Sequence, residues 1–234
     1  MYRPSHFEQT DRAALAELIQ GYPLATLVTV QDGATTADHL PLEFDAASQT
    51  LRGHVARANP LWRAAAGQSV LAVFLGPQAY VTPAWYASKA VTHKVVPTWN
   101  YSVVHVHGVL HVVDDAPWVH ALVTELTAHQ EAGRPAPWAV TDAPADFVQQ
   151  TLRAIVGIEI AVTQLFGKWK ISQNRDAADR AGVVAGLQAE AATSPQSAAM
   201  AALVSGPPGP SEGLKRPQVG NAPSQPQVDI SNRS

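Results

Sequence analysis

Cysteine is absent from all 234 positions, which excludes disulfides, thiolate nucleophiles and thiolate metal sites and leaves His and carboxylate as the only strong ligands. Zinc-ribbon and cysteine-protease chemistries go with it. Long apolar runs are missing too. No window approaches the roughly 18 apolar residues of a membrane helix, and the opening MYRPSHFEQTDR is polar where a signal peptide would be apolar. The expectation is a cytoplasmic chain with no membrane partner. Charge of one sign is also scarce: 16 Lys and Arg stand against 19 Asp and Glu, a net charge of -3. Such a chain has no overall field to gather phosphate backbones, so any DNA contact needs a local basic face. Charged residues make up only 15%, under the roughly 25% usual for soluble domains. The remaining surface is then Ala, Thr, Ser and Gln or is covered by a partner, and oligomerisation is expected.

What is present divides by composition. All 16 aromatic residues fall between Tyr2 and Trp169, so a core built on large anchors is expected to end near residue 175. Ala-rich sequence follows (DAADRAGVVAGLQAE, then SPQSAAMAALV), reading as one or two modest helices broken near Ser194 and Pro195. From Val204 to Ser234 Gly and Pro are dense enough to predict a disordered tail. The expected organisation is a domain over 1–180, a helical extension over 181–203 and a tail over 204–234. No internal repeat is visible.

Within the first 175 residues the dominant period is two. LATLVTV (24–30), ADHLPLEF (37–44), TLRGHVA (50–56), SVLAVFL (69–75), YSVVHVHGVLHVV (101–113) and VGIEIAVTQLF (156–166) are β-branched-rich runs separated by Gly, Pro, Asp or Asn. They predict six strands. Gln31-Asp32-Gly33 marks a hairpin turn and 45–49 a second connection, so the pairing is expected to be antiparallel. Helices are predicted from a cap at Thr10 to Gly21, from Asp115 and Pro117 to Gly133, and after Asp142 and Pro144. Six antiparallel strands over about 150 residues bury enough apolar face only by closing or by pairing two sheets, so the fold class is α+β with a six-stranded antiparallel barrel and peripheral helices.

The sharpest local feature is GHVARANPLWRAAAG (53–67). A strand ends near His54 or Val55, Asn59 is suited to cap a helix, Pro60 to open it and Gly67 to close it. A helix start beside the Arg57 guanidinium suits a phosphate monoester. The plainer reading is a capping Asn and a solvated Arg.

Three further clusters carry chemistry. In 79–89 and 95–108, Trp85, Tyr86, Trp99 and Tyr101 cannot all bury in one small core, which fits a planar ligand, a subunit interface, or simple bracing of two loops. His105, His107 and His111 share one face of a strand with Tyr101, opposite Val104, Val106, Leu110 and Val112. A metal centre usually draws on at least two elements and a second shell, so half-buried polar positions are expected rather than a metal. GKWKISQNR (167–175) offers amide side chains able to read a ring edge by paired hydrogen bonds, or a solvated strand end.

The order HLP (39–41), GHVARANP (53–60), VTPAWY (81–86), VPTWNY (96–101) with HVHG after it, and K-x-SQNR (170–175) resembles the PaiB-like FMN-binding negative transcriptional regulators over about residues 1–180. Thr82 stands where that family usually has Ser before Pro, which keeps the hydroxyl. The resemblance implies a split-barrel fold related to the pyridoxamine-phosphate oxidases and a homodimer with FMN at its interface. It implies phosphate contacts at Arg57, Ala58 and Asn59 with His54 beneath, and an isoalloxazine lined by His39, Leu40 and Pro41. Trp99, Asn100, Lys170, Ser172 and Gln173 are then the segments donated across the dimer.

Three functional classes remain open. One is an FMN-binding dimer, with or without oxidoreductase activity. The second is a flavin-dependent or flavin-sensing repressor, although no helix-turn-helix is evident. The third is a haem-binding split barrel using His105 or His107. No paired carboxylates and no nucleophile with its base commit the chain to a reaction.

Overall fold

The computed structural model describes residues 1–31 and 33–206; the expected tail from 207 onward lies outside them. The β-branched runs form eight strands rather than six, because two short segments escape a period-two reading. These are β1 (Glu8–Gln9), β2 (Leu24–Gln31), β3 (Ala34–Pro41), β4 (Glu43–Asp45), β5 (Thr50–Ala56), β6 (Ser69–Val81), β7 (Thr98–Val113) and β8 (Ile155–Lys170). ADHLPLEF, read as one strand, is the end of β3 and the first two residues of β4, split at Leu42.

That split explains the architecture. The sheet order is β3-β2-β6-β7-β8-β5-β4, every pair is antiparallel, and β1 adds to β8. Its two edge strands, β3 and β4, are consecutive in the chain and one residue apart, so the sheet must curl until its edges meet. No ladder joins them, and the barrel stays open along that seam. Gly53 sits at the seam; a Cβ there would lie 2.8 Å from the Pro41 carbonyl oxygen and 2.6 Å from Leu42 Cδ2, a closeness only Gly allows. The hairpin expected around residues 31–33 is present, with Gln31 opposite Ala34 and Gly33 at φ +79°.

Inside the curl lies an aliphatic core. The even positions of β7 expected to face inward do so: Val104, Val106 and Leu110 are fully buried with Leu27, Leu51, Phe74, Ile158 and Ile160. Fully burying one such side chain stabilises by about 1.5–3 kcal/mol. Helix α1 (Arg12–Gly21) closes one end with Leu15, Leu18 and Ile19; its cap is Asp11 rather than Thr10, accepting from Ala13 N at 2.9 Å. Helices α2 (Leu61–Ala64) and α3 (Lys89–Thr92) are single turns. Helix α4 (Ala116–Glu131), capped by Asp115, lays Trp118 against Gly157, and α5 (Ala145–Leu152) follows.

The Ala-rich segment is more than an appendage. Helices α6 (Ala177–Glu190) and α7 (Pro195–Ser205), capped by Asp176 and Ser194, contribute Val183, Leu187, Met200, Ala201 and Val204 to a second core with Ala79, Val81 and Tyr86. The core therefore extends to Val204, well past the last aromatic, Trp169; α6 runs through the expected 180/181 boundary, and Val204 and Ser205 are helical rather than tail. Aromatic content misled because the anchors, Trp85 and Tyr86, come from the barrel side. An extra residue between Leu75 and Gln78 shifts the register of β6 on β7, turning Ala79 and Val81 toward α6 and α7.

Candidate functional site

The residues singled out from the sequence gather in two places, one at each end of β8. At its start, Arg57 follows β5 and its side chain turns across the sheet. Nη1 and Nη2 donate to Asp114 at 2.8 and 2.6 Å, Nε to the Arg153 carbonyl at 2.9 Å, and Nη2 also to the Ile155 carbonyl at 3.2 Å. One N–H of the five is left. The hydrogen bond from Arg57 holds the Asp114 carboxyl below its usual range, and the same contact raises Arg57. The cap position is Pro60 rather than Asn59; from one residue before it Asn59 Oδ1 still accepts from Leu61 N at 2.9 Å, while Nδ2 donates to Asp38 at 2.8 Å. The helix it introduces is one turn, Leu61–Ala64, rather than a run to Gly67. Ala58 is exposed between them.

The neighbouring residues face different ways. His54 lies opposite Gly157, on the side of the sheet that α4 covers; burial lowers its pKa, and its Nδ1 is buried without a partner. On β3, His39 and Pro41 are exposed and Leu40 is in the core.

At the other end, β7 and β8 bring VPTWNY and K-x-SQNR together by register, Tyr101 standing opposite Lys170. Lys170 Nζ donates to Thr98 Oγ1 and, at 2.6 Å, to the Trp99 carbonyl. Burial, then the nearby Lys168 and Arg175, lower its pKa. Asn100, 1% exposed, donates from Nδ2 to Ser172 Oγ at 2.9 Å, and its Oδ1 has no partner. Tyr86, 3% exposed, has an unpartnered hydroxyl and carries the Arg175 guanidinium 4.5 Å above its ring. These groups line a cavity of about 80 Å³ with Val96 and Asn174. Ser172 adopts φ +64°, a left-handed conformation uncommon for Ser, and such outliers gather at functional sites.

Two expected contacts are engaged elsewhere. Gln173 uses its amide on its own turn, Nε2 donating to the Trp169 carbonyl at 2.5 Å and Oε1 accepting from Ile171 N at 2.8 Å. Trp99 is 49% exposed and donates to Gln78 at 3.1 Å, beside Tyr80. Sequence reasoning passed over Asp114 and Asp38, which hold Arg57 and Asn59, and did not single out Tyr86 and Arg175 as contacts. The aromatic cluster and K-x-SQNR already named both of the latter, but only the fold makes them neighbours.

His105 and His107 are half-buried on the outward face of β7 and His111 is exposed; among the described residues the three form no convergent ligand group. Among the described residues Glu43, Glu125 and His129 do converge, but the Arg52 guanidinium stands at 3.4 Å from Glu43 and 3.1 Å from Glu125, offsetting one of the two carboxylate charges a cation would seek.

An open antiparallel barrel whose edge strands follow one another, with helices packed at its ends, is the split barrel of flavin-binding proteins. The chain belongs to the family described as "Putative FMN-binding domain", whose model matches residues 1–164. Its relatives include the protease synthase and sporulation protein PAI 2 of Bacillus subtilis, 33% identical over 193 residues, covering 81% of this chain and 90% of that one. Two solved structures share the fold. The FAD and heme binding protein of Mycobacterium smegmatis superposes with a TM-score of 0.56 at 20% identity, over 76% of this chain and 80% of its own. The flavocytochrome Anf3 of Azotobacter vinelandii gives 0.54 at 13%, over 72% of each. FMN is the cofactor of this family's domain.

The donor sets differ in how they fit that cofactor. At the start of β8 the cationic group is already paired, and it offers one oriented N–H. At the end of β8, Lys168, Lys170 and Arg175 have no carboxylate at salt-bridge distance among the described residues, and two buried polar atoms face the cavity unpartnered. The second set therefore combines cations free of carboxylates with two unpartnered buried atoms, whereas the first leaves only one such atom, His54 Nδ1, on the face under α4.

Proposed function

We propose that the chain binds FMN between two copies of itself and serves as a flavin-dependent or flavin-sensing negative regulator of transcription. The family model over residues 1–164 carries the flavin half of this reading. The regulatory half follows from the resemblance to PaiB-like regulators.

The need for two copies is supported by distance along the chain. Arg57 bonds to Ile155 at the first residue of β8 and the cavity group begins at Lys170, its last. Fifteen steps at ~3.3 Å make a contour of about 50 Å, which puts the two sets at opposite ends of a long strand, so a shared cofactor is expected to draw them from different subunits. A cofactor touching both sets takes the corner with His39, Pro41, Arg57, Ala58 and Asn59 from one subunit. It takes Asn100, Lys170 and Ser172 from the other, while Leu40, His54, Trp99 and Gln173 support these segments from positions already covered or engaged. The exposed Leu75, Tyr80 and Trp99 on β6 and β7 supply apolar surface for such an interface. Asp114 holds the Arg57 guanidinium in one orientation, which suits it to meet a phosphate with its remaining N–H.

The protein supplies binding and orientation, and FMN, when bound, supplies the capacity for hydride or electron transfer. DNA contact, on this reading, uses a local basic face. Its test is a mobility shift repeated over a salt series: operator affinity must fall as salt rises. The flavin half is tested by visible absorbance of protein titrated with FMN. Replacing Arg57 and Asn59 together by Ala is expected to weaken binding about 10- to 100-fold, the loss of one or two charge-assisted hydrogen bonds. Unchanged FMN affinity in that variant overturns the phosphate corner; no FMN uptake by the wild type overturns the reading itself.

A further inference from the structure

We infer that the cavity formed by Asn100, Tyr86 and Lys170 receives the pyrimidine edge of the flavin ring and sets its reduction potential. The inference rests on the FMN reading above and specifies which part of the cofactor meets this cavity.

The unpaired groups select the ligand. A small oxyanion would be drawn by Lys170 and Arg175, but it would face Asn100 Oδ1, a buried acceptor that already lacks a donor. Two acceptors facing each other in a desolvated site repel. What the cavity lacks is a ligand with an N–H for Asn100 and oxygens on either side for a hydroxyl and an ammonium. A cyclic imide, O=C–NH–C=O, has that alternation, and the flavin pyrimidine ring presents it along one edge. Tyr86 is free to donate to one carbonyl. Lys170 uses two of its three N–H on Thr98 and Trp99, which leaves one for the other. About 80 Å³ admits an edge rather than a whole ring system, with Val96 exposed at the cavity wall.

The device is held in place from three sides. Ser172, in its left-handed conformation, fixes Asn100; the Gln173 amide closes the turn that puts Ser172 there; and Arg175 stacks on Tyr86. Asp179 of α6, 2% exposed, accepts from Ser88 N at 2.9 Å and Ser88 Oγ at 2.8 Å. It thereby ties the segment after Tyr86 to the second core. An ammonium beside the pyrimidine edge favours the reduced ring, which gains negative charge there, over the oxidised one.

The experiment compares wild type, Tyr86→Phe and Lys170→Met as full-length protein, with FMN and with riboflavin as probes, by fluorescence quenching and by reduction potential against a reference dye. Tyr86→Phe removes a hydroxyl that has no partner, so folding is not at risk. It should weaken FMN and riboflavin by the same factor, three- to tenfold. Lys170→Met should lower the preference for reduced over oxidised flavin about tenfold, ~30 mV for a two-electron couple. Loss of FMN affinity with riboflavin unaffected would show that the cavity holds the phosphate and overturn the inference. So would affinities and potential unmoved in both variants with FMN still bound. A wild type that takes up neither flavin refutes the FMN reading first, a result distinct from the other two.

Discussion

The Arg57–Asp114 pair shows how a residue can be placed well and assigned too simply. GHVARANP marks a strand end, a turn and a helix start, and all three occur there, each one or two residues later than expected: β5 ends at Ala56 and Pro60 caps α2. What spacing along the chain could not show is that Asp114, 57 positions on, takes the guanidinium, or that Asp38 takes the Asn59 amide. Asp114 follows the end of β7, which β8 separates from β5, and Asp38 lies within β3, across the seam that the curl of the sheet closes. The pairing has a pH signature. The Asp114 pKa is depressed in the folded state, so its contribution is fully present above the unfolded carboxylate value, about 3.9, and is lost as pH falls through the lower folded value. Asp114→Asn should therefore be less stable than wild type in urea at pH 7, with the gap closing as pH falls through the depressed folded value. A gap that persists unchanged at low pH would mean the pair adds nothing through charge. Both groups are exposed, so the difference should also shrink with salt.

At the scale of elements, period and punctuation carried most of the reading. The long strands β6, β7 and β8 were visible because alternation survives over many residues, and α4 was visible from Asp115 and Pro117. β1 and β4, two and three residues long, leave no periodic trace, and α2 stops after one turn, short of Gly67, whose N–H donates instead to the Leu110 carbonyl of β7 at 2.8 Å. The role of α6 was the least legible. Ala and Gly read as weak helix, yet Gly182 and Gly186 are where Trp85 docks: a Cβ at Gly182 would lie 1.9 Å from the Trp85 carbonyl oxygen. Gly→Ala inside a helix ordinarily gains up to about 1 kcal/mol. Here the displaced backbone should cost about 1–3 kcal/mol, so Gly182→Ala is expected to lower the thermal midpoint. Gly133→Ala, which meets nothing within 4 Å, should leave it unchanged or slightly raised. Equal behaviour of the two variants would sink the docking argument. Because α6 also anchors Ser88, Gly182→Ala should weaken flavin binding in proportion to its loss of folded structure.

For the whole molecule, the open seam and the two half-sites pose one question: whether a single chain holds a complete cofactor site. The motif order HLP, GHVARANP, VPTWNY, K-x-SQNR was readable in the sequence and placed the chain in its family, but linear order does not say which motifs meet. The fold pairs VPTWNY with K-x-SQNR along β7 and β8 and leaves HLP and GHVARANP at the other end of β8. Two-fold symmetry would repair that separation, since each subunit can then offer its corner to its partner's cavity. Subunit mixing decides it. The Arg57→Ala, Asn59→Ala double variant lacks a working corner, and Lys170→Met with Tyr86→Phe lacks a working cavity. In a heterodimer of the two, one site inherits both defects and the other inherits neither. Random reassociation of an equal mixture makes half of the dimers mixed, so about a quarter of all sites should regain wild-type FMN affinity. A site contained within one chain shows no recovery at any mixing ratio, because every subunit then carries its own defect. Measured by FMN fluorescence quenching after denaturant-mediated exchange, recovery near that fraction supports a shared site, and its absence returns the cofactor to a single subunit.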